Sequence, residues 1–141
     1  MIKKLLNPGT YPNNINFILL LLRITVGVLM LTHGVGKFIH LFGSEPIKFP
    51  DPIGLGATTS LALATFAEVL CSILLIIGLI TRLATIPLII TMLVAAIIVH
   101  ADDGFGRQEL PLFYAATYLA IAIAGAGKFS LDNWLYKKMN T

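Results

Sequence analysis

Four long apolar runs, a hydrophobic share of 57% against 12% charged residues, and no alternating strand pattern predict an all-α membrane protein built as a four-transmembrane-helix bundle. Soluble domains average roughly 45–50% apolar and about 25% charged residues. The runs cover about 15–36, 58–80, 83–100 and 111–127. Each is near the roughly 20 residues that a helix rising about 1.5 Å per residue needs to cross about 30 Å of hydrocarbon. A spanning barrel would alternate apolar and polar residues in short segments. LLLL, LLIIGLI and LVAAIIV are instead continuous, and a helix satisfies its own backbone in lipid. The 141 residues are therefore expected to form one membrane domain, 1–141.

Residues 1–14 contain Pro8, Gly9, Pro12 and three asparagines, a helix-breaking lead-in. Lys3 and Lys4 precede the first run, which is too long for a secretory signal, contains Arg23 and offers no small-residue cleavage site. It is expected to remain as the first span. An outer loop, about 38–57, follows, rich in proline and glycine among Phe38, Leu41, Phe42 and Phe49. Loops of this length often act as lids, and a greasy connector is the plainer alternative. The link around Thr81 and Arg82 is so short that the second and third helices must be antiparallel neighbours. Pro87 falls in the first turns of the third helix, where its missing N–H matters least. ADDGFGRQEL reads as a polar turn before the fourth helix. Beyond it, Ser130 is a good N-cap. Trp134 and Tyr136 ahead of Lys137 and Lys138 suit a short interfacial helix at about 130–139.

The formal charge of +3 does not indicate nucleic acid, because the basic residues stand singly at helix ends rather than in a stripe. They report topology. An even number of spans puts Lys3, Lys4, Arg82, Lys128, Lys137 and Lys138 on one side and Lys37, Lys48 and Arg107 on the other, which places both termini in the cytoplasm. GVGKF at 34–38 returns as GAGKF at 125–129, with no further similarity between the halves. GAGKF is not a phosphate loop, since Ala122 and Phe129 occupy the glycine and Ser/Thr positions of that pattern. The lone Cys71 cannot form a disulfide within the chain or supply dithiol chemistry, so any oxidation needs a cofactor, a quinone or a partner.

Chemistry is expected where polar groups enter the membrane, because an ionisable side chain near mid-bilayer costs about 2.5–3.5 kcal/mol and must find a partner or a cavity. From their distances to the helix ends, Arg23 and Glu68 are expected to form an ion pair, structural or part of a site. Arg23, Gly27, Met30, Gly34 and Lys37 share one face of the first helix, with His33 beside them. His33 and His100 end outward-running helices, and Tyr114 and Tyr118 descend from the same side. Arg23, His33, Lys37, Glu68, His100, Tyr114 and Tyr118 are thus the candidates for an outward-opening pocket that binds a ligand or relays protons. The alternative assigns the lysine to head groups, the tyrosines to interfacial belts and the histidine to packing. Two histidines so far apart in sequence fix no ligand geometry, so neither haem nor a metal site is expected.

LLLRITVGVLMLTHGVGKF, FAEVLCSILLIIGLITRLATIPL, VHADD and IAGAGKFSLDNWL, in that order, resemble the DoxX family of small bacterial membrane proteins. The shared pattern is an early arginine and HGxxK in the first helix, a glutamate and then GLxTR in the second, a histidine ending the third, and GxGxxSLD after the fourth. It falls on Arg23, His33, Gly34, Lys37, Glu68, Gly78, Arg82, His100, Gly125, Gly127 and Asp132. The resemblance implies a multi-pass protein of the bacterial cytoplasmic membrane, related to the DoxD membrane subunit of a thiosulfate:quinone oxidoreductase. It also implies a membrane or periplasmic redox protein as partner.

Three functions follow as expectations. The first is a redox subunit whose pocket binds a quinone through His33 or Lys37, with Arg23 and Glu68 relaying a proton. The second is a transporter of protons or a small solute. The third is a scaffold, self-associating or holding a partner helix through Ala115, Ala122 and Gly125.

Overall fold

The computed structural model describes residues 1–140, and every regular element among them is a helix. In chain order these are α1 (Ile2–Leu5), α2 (Asn13–Phe42), α3 (Ala57–Ile77), α4 (Thr81–Val99), α5 (Phe105–Ala124) and α6 (Leu131–Lys138). Two stretches are π-helical, Phe66–Cys71 within α3 and Ala95–Val99 at the end of α4. α2, α3 and α4 are each long and apolar enough to cross a membrane. α5 has 20 residues, but Arg107, Gln108 and Glu109 lie in its first turns and make it less apolar.

The boundaries correct the sequence reading in several places. α2 does not stop at 36. It runs to Phe42 because Lys37–Phe42 contains no proline or glycine before Gly43, so the loop is 43–56 rather than 38–57. His33 and Lys37 mark a change of surroundings along a continuous helix, not its end. With 30 residues, α2 is about 45 Å long and outreaches a hydrocarbon layer of about 30 Å. α5 begins at Phe105 rather than 111, directly after Gly104 at φ 81°, and ends at Ala124. The lead-in contains one helical turn, α1. The repeated pentapeptides have unlike backbones: Gly34 and Gly36 are inside α2, whereas Gly125 and Gly127 adopt φ of 92° and 77° in a loop.

The shared core is assembled from Val26 and Met30 of α2, Cys71 and Leu75 of α3, Leu88 and Met92 of α4, and Tyr118 and Ile121 of α5. Outward positions are equally apolar, including Phe17, Leu21, Phe113 and Ile123. That much exposed hydrocarbon around the helices is what a lipid-facing surface requires. α2 and α3 approach closely through glycines. A Cβ on Gly27 would lie 2.5 Å from Ile76 Cγ1, and one on Gly34 would lie 2.9 Å from the Glu68 carbonyl carbon and oxygen. Gly34 therefore presses α2 against the π-helical stretch that carries Glu68, one turn from Lys37.

The chain ends meet at the end of the bundle where α3 turns into α4. The Tyr11 hydroxyl donates to the Ala124 carbonyl at 2.9 Å, the Gly127 amide to Pro8 O at 2.9 Å, and Lys3 Nζ to Asn140 Oδ1 at 3.1 Å. α6 starts as expected, with Ser130 Oγ accepting from the Asn133 amide at 3.1 Å. We call this the turn end and the opposite end, under residues 43–56, the loop end.

Candidate functional site

Glu68 is 3% exposed and its carboxylate is met by Lys37, not by Arg23: Lys37 Nζ donates to Glu68 Oε2 at 2.6 Å. The expected Arg23–Glu68 ion pair is therefore corrected. Arg23 is instead held by the Ala126 and Phe129 carbonyls, while α2 continues as helix and brings Lys37 to Glu68, which lies in the π-helical stretch Phe66–Cys71. The pair borders a cavity of about 390 Å³ near the loop end, between α3 and α4. Its walls are largely apolar, with Leu63, Ala64, Ile90 and Val94 on the helices and Phe49, Pro50, Pro52 and Ile53 overhead. Its polar groups are few: Lys37, Glu68, Ser60, Thr91 and His100. Both π-helical stretches reach it, through Glu68 in one and Ala95 and Val99 in the other. Such bulges frequently accompany functional sites.

His100 is oriented by Asp103, a residue passed over in the sequence as a turn acid. Its Nδ1 lies 2.7 Å from Asp103 Oδ2, and since a carboxylate only accepts, Nδ1 carries the proton. Nε2 is then the ring atom left for a ligand. The hydrogen bond from His100, with Arg107 3.8 Å away adding positive charge, holds the Asp103 carboxyl below the usual carboxylate range. The readable signal was the spacing, since His and Asp three apart face each other on one turn.

Asp51, also passed over, ties down the roof. Oδ1 accepts from the Leu55 amide and the Ser60 hydroxyl, each at 2.9 Å, and Oδ2 from the Gly56 amide at 3.0 Å. Hydrogen bonds to the charged form, from Gly56 foremost and then Ser60, lower the Asp51 pKa below its ordinary 3.8. A depressed carboxylate contributes above its unfolded pKa and loses that contribution as the pH falls through the folded value. The Leu55 and Gly56 amides are therefore expected to resist hydrogen exchange at about pH 6 and to lose that protection, relative to intrinsic rates, below about pH 3. Equal protection at both values would mean that Asp51 does not anchor the roof.

His33, Tyr114 and Tyr118 are not among the residues lining the cavity. His33 is exposed and meets the Tyr114 ring edge-on at 6.2 Å, and Tyr114 stacks on Tyr118 at 5.9 Å. This is a file between α2 and α5. The Tyr118 hydroxyl is buried with no hydrogen-bond partner among the described residues.

Arg23 belongs to the turn end. It is fully buried, donating through Nη1 to the Ala126 carbonyl and through Nη2 to the Phe129 carbonyl at 2.7 Å, with the charge of Asp132 nearby. Asp132 accepts from the Ile80 amide at 2.6 Å and the Thr81 amide at 2.9 Å, and its own amide donates to Gly78 O at 2.8 Å. Gly78 has φ 71°, and a Cβ there would sit 2.5 Å from Arg23 Nη1. Arg82 Nη1 donates to the Ala122 and Ile123 carbonyls at 2.7 and 3.0 Å, capping α5. Of the positions that carry the resemblance, Arg23, Gly78, Arg82, Gly125, Gly127 and Asp132 thus form a clasp at the turn end, while Lys37, Glu68 and His100 share the cavity. Among the described residues no three His, Cys, Asp or Glu side chains gather to hold a metal ion.

Long apolar helices around a core that buries a few charges define a small helical membrane protein with a polar-ended cavity. The DoxX family profile matches residues 18–101, more than half of the chain, and the chain belongs to that family. It is 34% identical to an uncharacterized protein of Haemophilus influenzae over 130 residues, covering 86% of this chain and 93% of that protein. It is 30% identical to an uncharacterized membrane protein of Mycobacterium tuberculosis over 134 residues, covering 83% of this chain and 80% of that protein. CatD of Bacillus subtilis, named as a candidate oxidoreductase, is 29% identical over 119 residues, covering 84% of this chain and 87% of its own length. No solved structure matches the chain.

Proposed function

We propose that the protein is a quinone-linked membrane redox subunit whose cavity, rather than the Arg23 region, binds the quinone head. The carrying observation is the Lys37–Glu68 pair at the border of a largely apolar 390 Å³ cavity. A quinone head is polar at its carbonyls and apolar elsewhere, which matches a lining with a few convergent polar groups. When bound, a quinone takes up two electrons and two protons and leaves as the quinol, the electrons coming from a membrane or periplasmic redox protein partner. The chain's own groups hold and protonate. Lys37 would donate to one carbonyl oxygen, Glu68 beside it would relay a proton, and His100, turned by Asp103, would offer Nε2 to the other polar edge. The name carried by the Bacillus subtilis relative supports a redox reading.

In this reading the protein spans the bacterial cytoplasmic membrane four times, α5 being the fourth span, with α6 lying at the inner interface. Lys3, Lys4, Arg82, Lys128, Lys137 and Lys138 belong to the turn end, which is therefore cytoplasmic, and the cavity faces outward. Transport gains no support, since between Glu68 and the turn end the core is filled by Leu75, Leu88, Tyr118 and Ile121.

The test is mass spectrometry of the protein purified gently from its native membrane, followed by quinone titration. A co-purifying quinone is expected, with affinity reduced about tenfold or more in His100→Ala, as for loss of a hydrogen bond to a polar ligand. A clean protein that takes up no added quinone, but keeps one stoichiometric polypeptide partner, would replace this function with that of a scaffold.

A further inference from the structure

We infer that the cavity is entered from the hydrocarbon of the bilayer, between α3 and α4, and that its ligand carries an uncharged hydrogen-bond-accepting head and an apolar chain that stays in this portal. The inference rests on the reading of the cavity as a quinone site and adds the route and the shape of the ligand.

A tethered loop overlies the loop end of the cavity, although its Ile53 is itself 49% exposed. Phe49, Pro50, Pro52 and Ile53 cover the cavity, and Asp51 pins this loop to the Leu55 and Gly56 amides and to Ser60 at the start of α3. The flank is open. Leu63 of α3 and Ile90 of α4 both line the cavity, yet they are 48% and 56% exposed. Leu63 is six residues from the start of α3 at Ala57, and Ile90 nine from the end of α4 at Val99. At about 1.5 Å per residue they lie roughly 9 and 14 Å below the loop ends of their helices, within the apolar layer. A molecule reaching the cavity past these two side chains comes from lipid.

The charge of the site limits the head. Lys37 and Glu68 already neutralise each other at 2.6 Å. An anionic head would set a second negative charge beside Glu68, and a cationic one would compete with Lys37. An ammonium group has three hydrogens, and the ion pair occupies one. A neutral acceptor such as a carbonyl can take another without breaking the pair. A phosphate-bearing lipid cannot do so without bringing its charge.

The experiment uses the full chain reconstituted in phosphatidylcholine vesicles and two probes, long-chain ubiquinone-10 and chainless 2,3-dimethoxy-5-methyl-benzoquinone. Leu63→Trp combined with Ile90→Trp fills the portal, and Ile97→Trp, at an exposed site on α4 that does not line the cavity, is the control. The filled portal should weaken ubiquinone-10 binding about tenfold or more beyond any loss for the chainless quinone, as for displacing a few buried methylenes. Ile97→Trp should bind both as the unaltered protein does. The inference is overturned if the filled portal weakens neither probe, or both equally, since the chain would then lie elsewhere. It is also overturned if a phospholipid occupies the cavity in the purified protein. Failure of the unaltered protein to bind either quinone would instead remove the quinone reading itself.

Discussion

Asp132→Ala is expected to destabilise the protein by about 3 kcal/mol, as for removing two buried hydrogen bonds to a charged acceptor. The reason is what Asp132 holds. Between Gly78 and Thr81 the chain reverses from α3 into α4, and Ile80 adopts φ 44°, ψ 42°. For a β-branched residue this left-handed conformation is an outlier that costs of order 1–3 kcal/mol and persists only where its surroundings over-determine it. The Asp132 carboxylate does so by accepting from both the Ile80 and Thr81 amides. It also lies near buried Arg23, which holds the loop after α5 by two of its carbonyls. Removing the carboxylate strands two amides, relaxes the turn and leaves Arg23 without its nearby negative charge. Asp132→Asn keeps one acceptor oxygen and should fall between. Unfolding in a reversible detergent titration should rank the native protein above Asn and Asn above Ala. Indistinguishable midpoints would show that the clasp does not hold the hairpin.

The second large effect concerns the cavity. Lys37→Met should cost about 3–5 kcal/mol, because it leaves a buried carboxylate without its counter-charge. The Glu68 side chain is only 4% exposed. Lys37→Met with Glu68→Leu should recover most of that stability, since a buried ion pair replaced by apolar groups of similar volume is often neutral or better. Quinone affinity should stay lost in both variants. The double variant therefore separates roles that a single substitution confounds. Restored stability with restored binding would make the pair a packing device, and the redox assignment would have to move to other residues.

The apolar runs, the tight link at Thr81 and Arg82 and the Ser130 cap were legible because each depends on a short local stretch of chain. The partner of Glu68 was not. Depths within an arginine side chain's reach of each other paired it with Arg23, but Arg23 turns to the carbonyls at the other end of the bundle, and α2 carries Lys37 onward as helix to the π-helical stretch that holds Glu68. Arg23 was recognised as needing a partner. Its partners are the Ala126 and Phe129 carbonyls, over one hundred residues away, and nothing in a carbonyl's sequence context announces it. Asn16 is a parallel case, being buried with its Oδ1 accepting from the Lys128 amide at 2.8 Å. Asp51 and Asp103 looked like loop acids, yet one pins the roof and the other turns His100.

Hydrophobic composition by itself determined that this chain belongs in a membrane and is helical there, because burial in lipid sums over a segment whatever its neighbours are. It also marked Arg23 and Glu68 as groups that require compensation, since that cost is paid at the residue. Only the tertiary structure decided which group compensates which, sending Arg23 to the clasp, Lys37 to Glu68, and His33 with Tyr114 and Tyr118 away from the cavity. Those choices depend on the rotation and depth of each helix against the next. Close contacts such as Gly34 on the Glu68 backbone set them, and no single segment encodes such a contact alone.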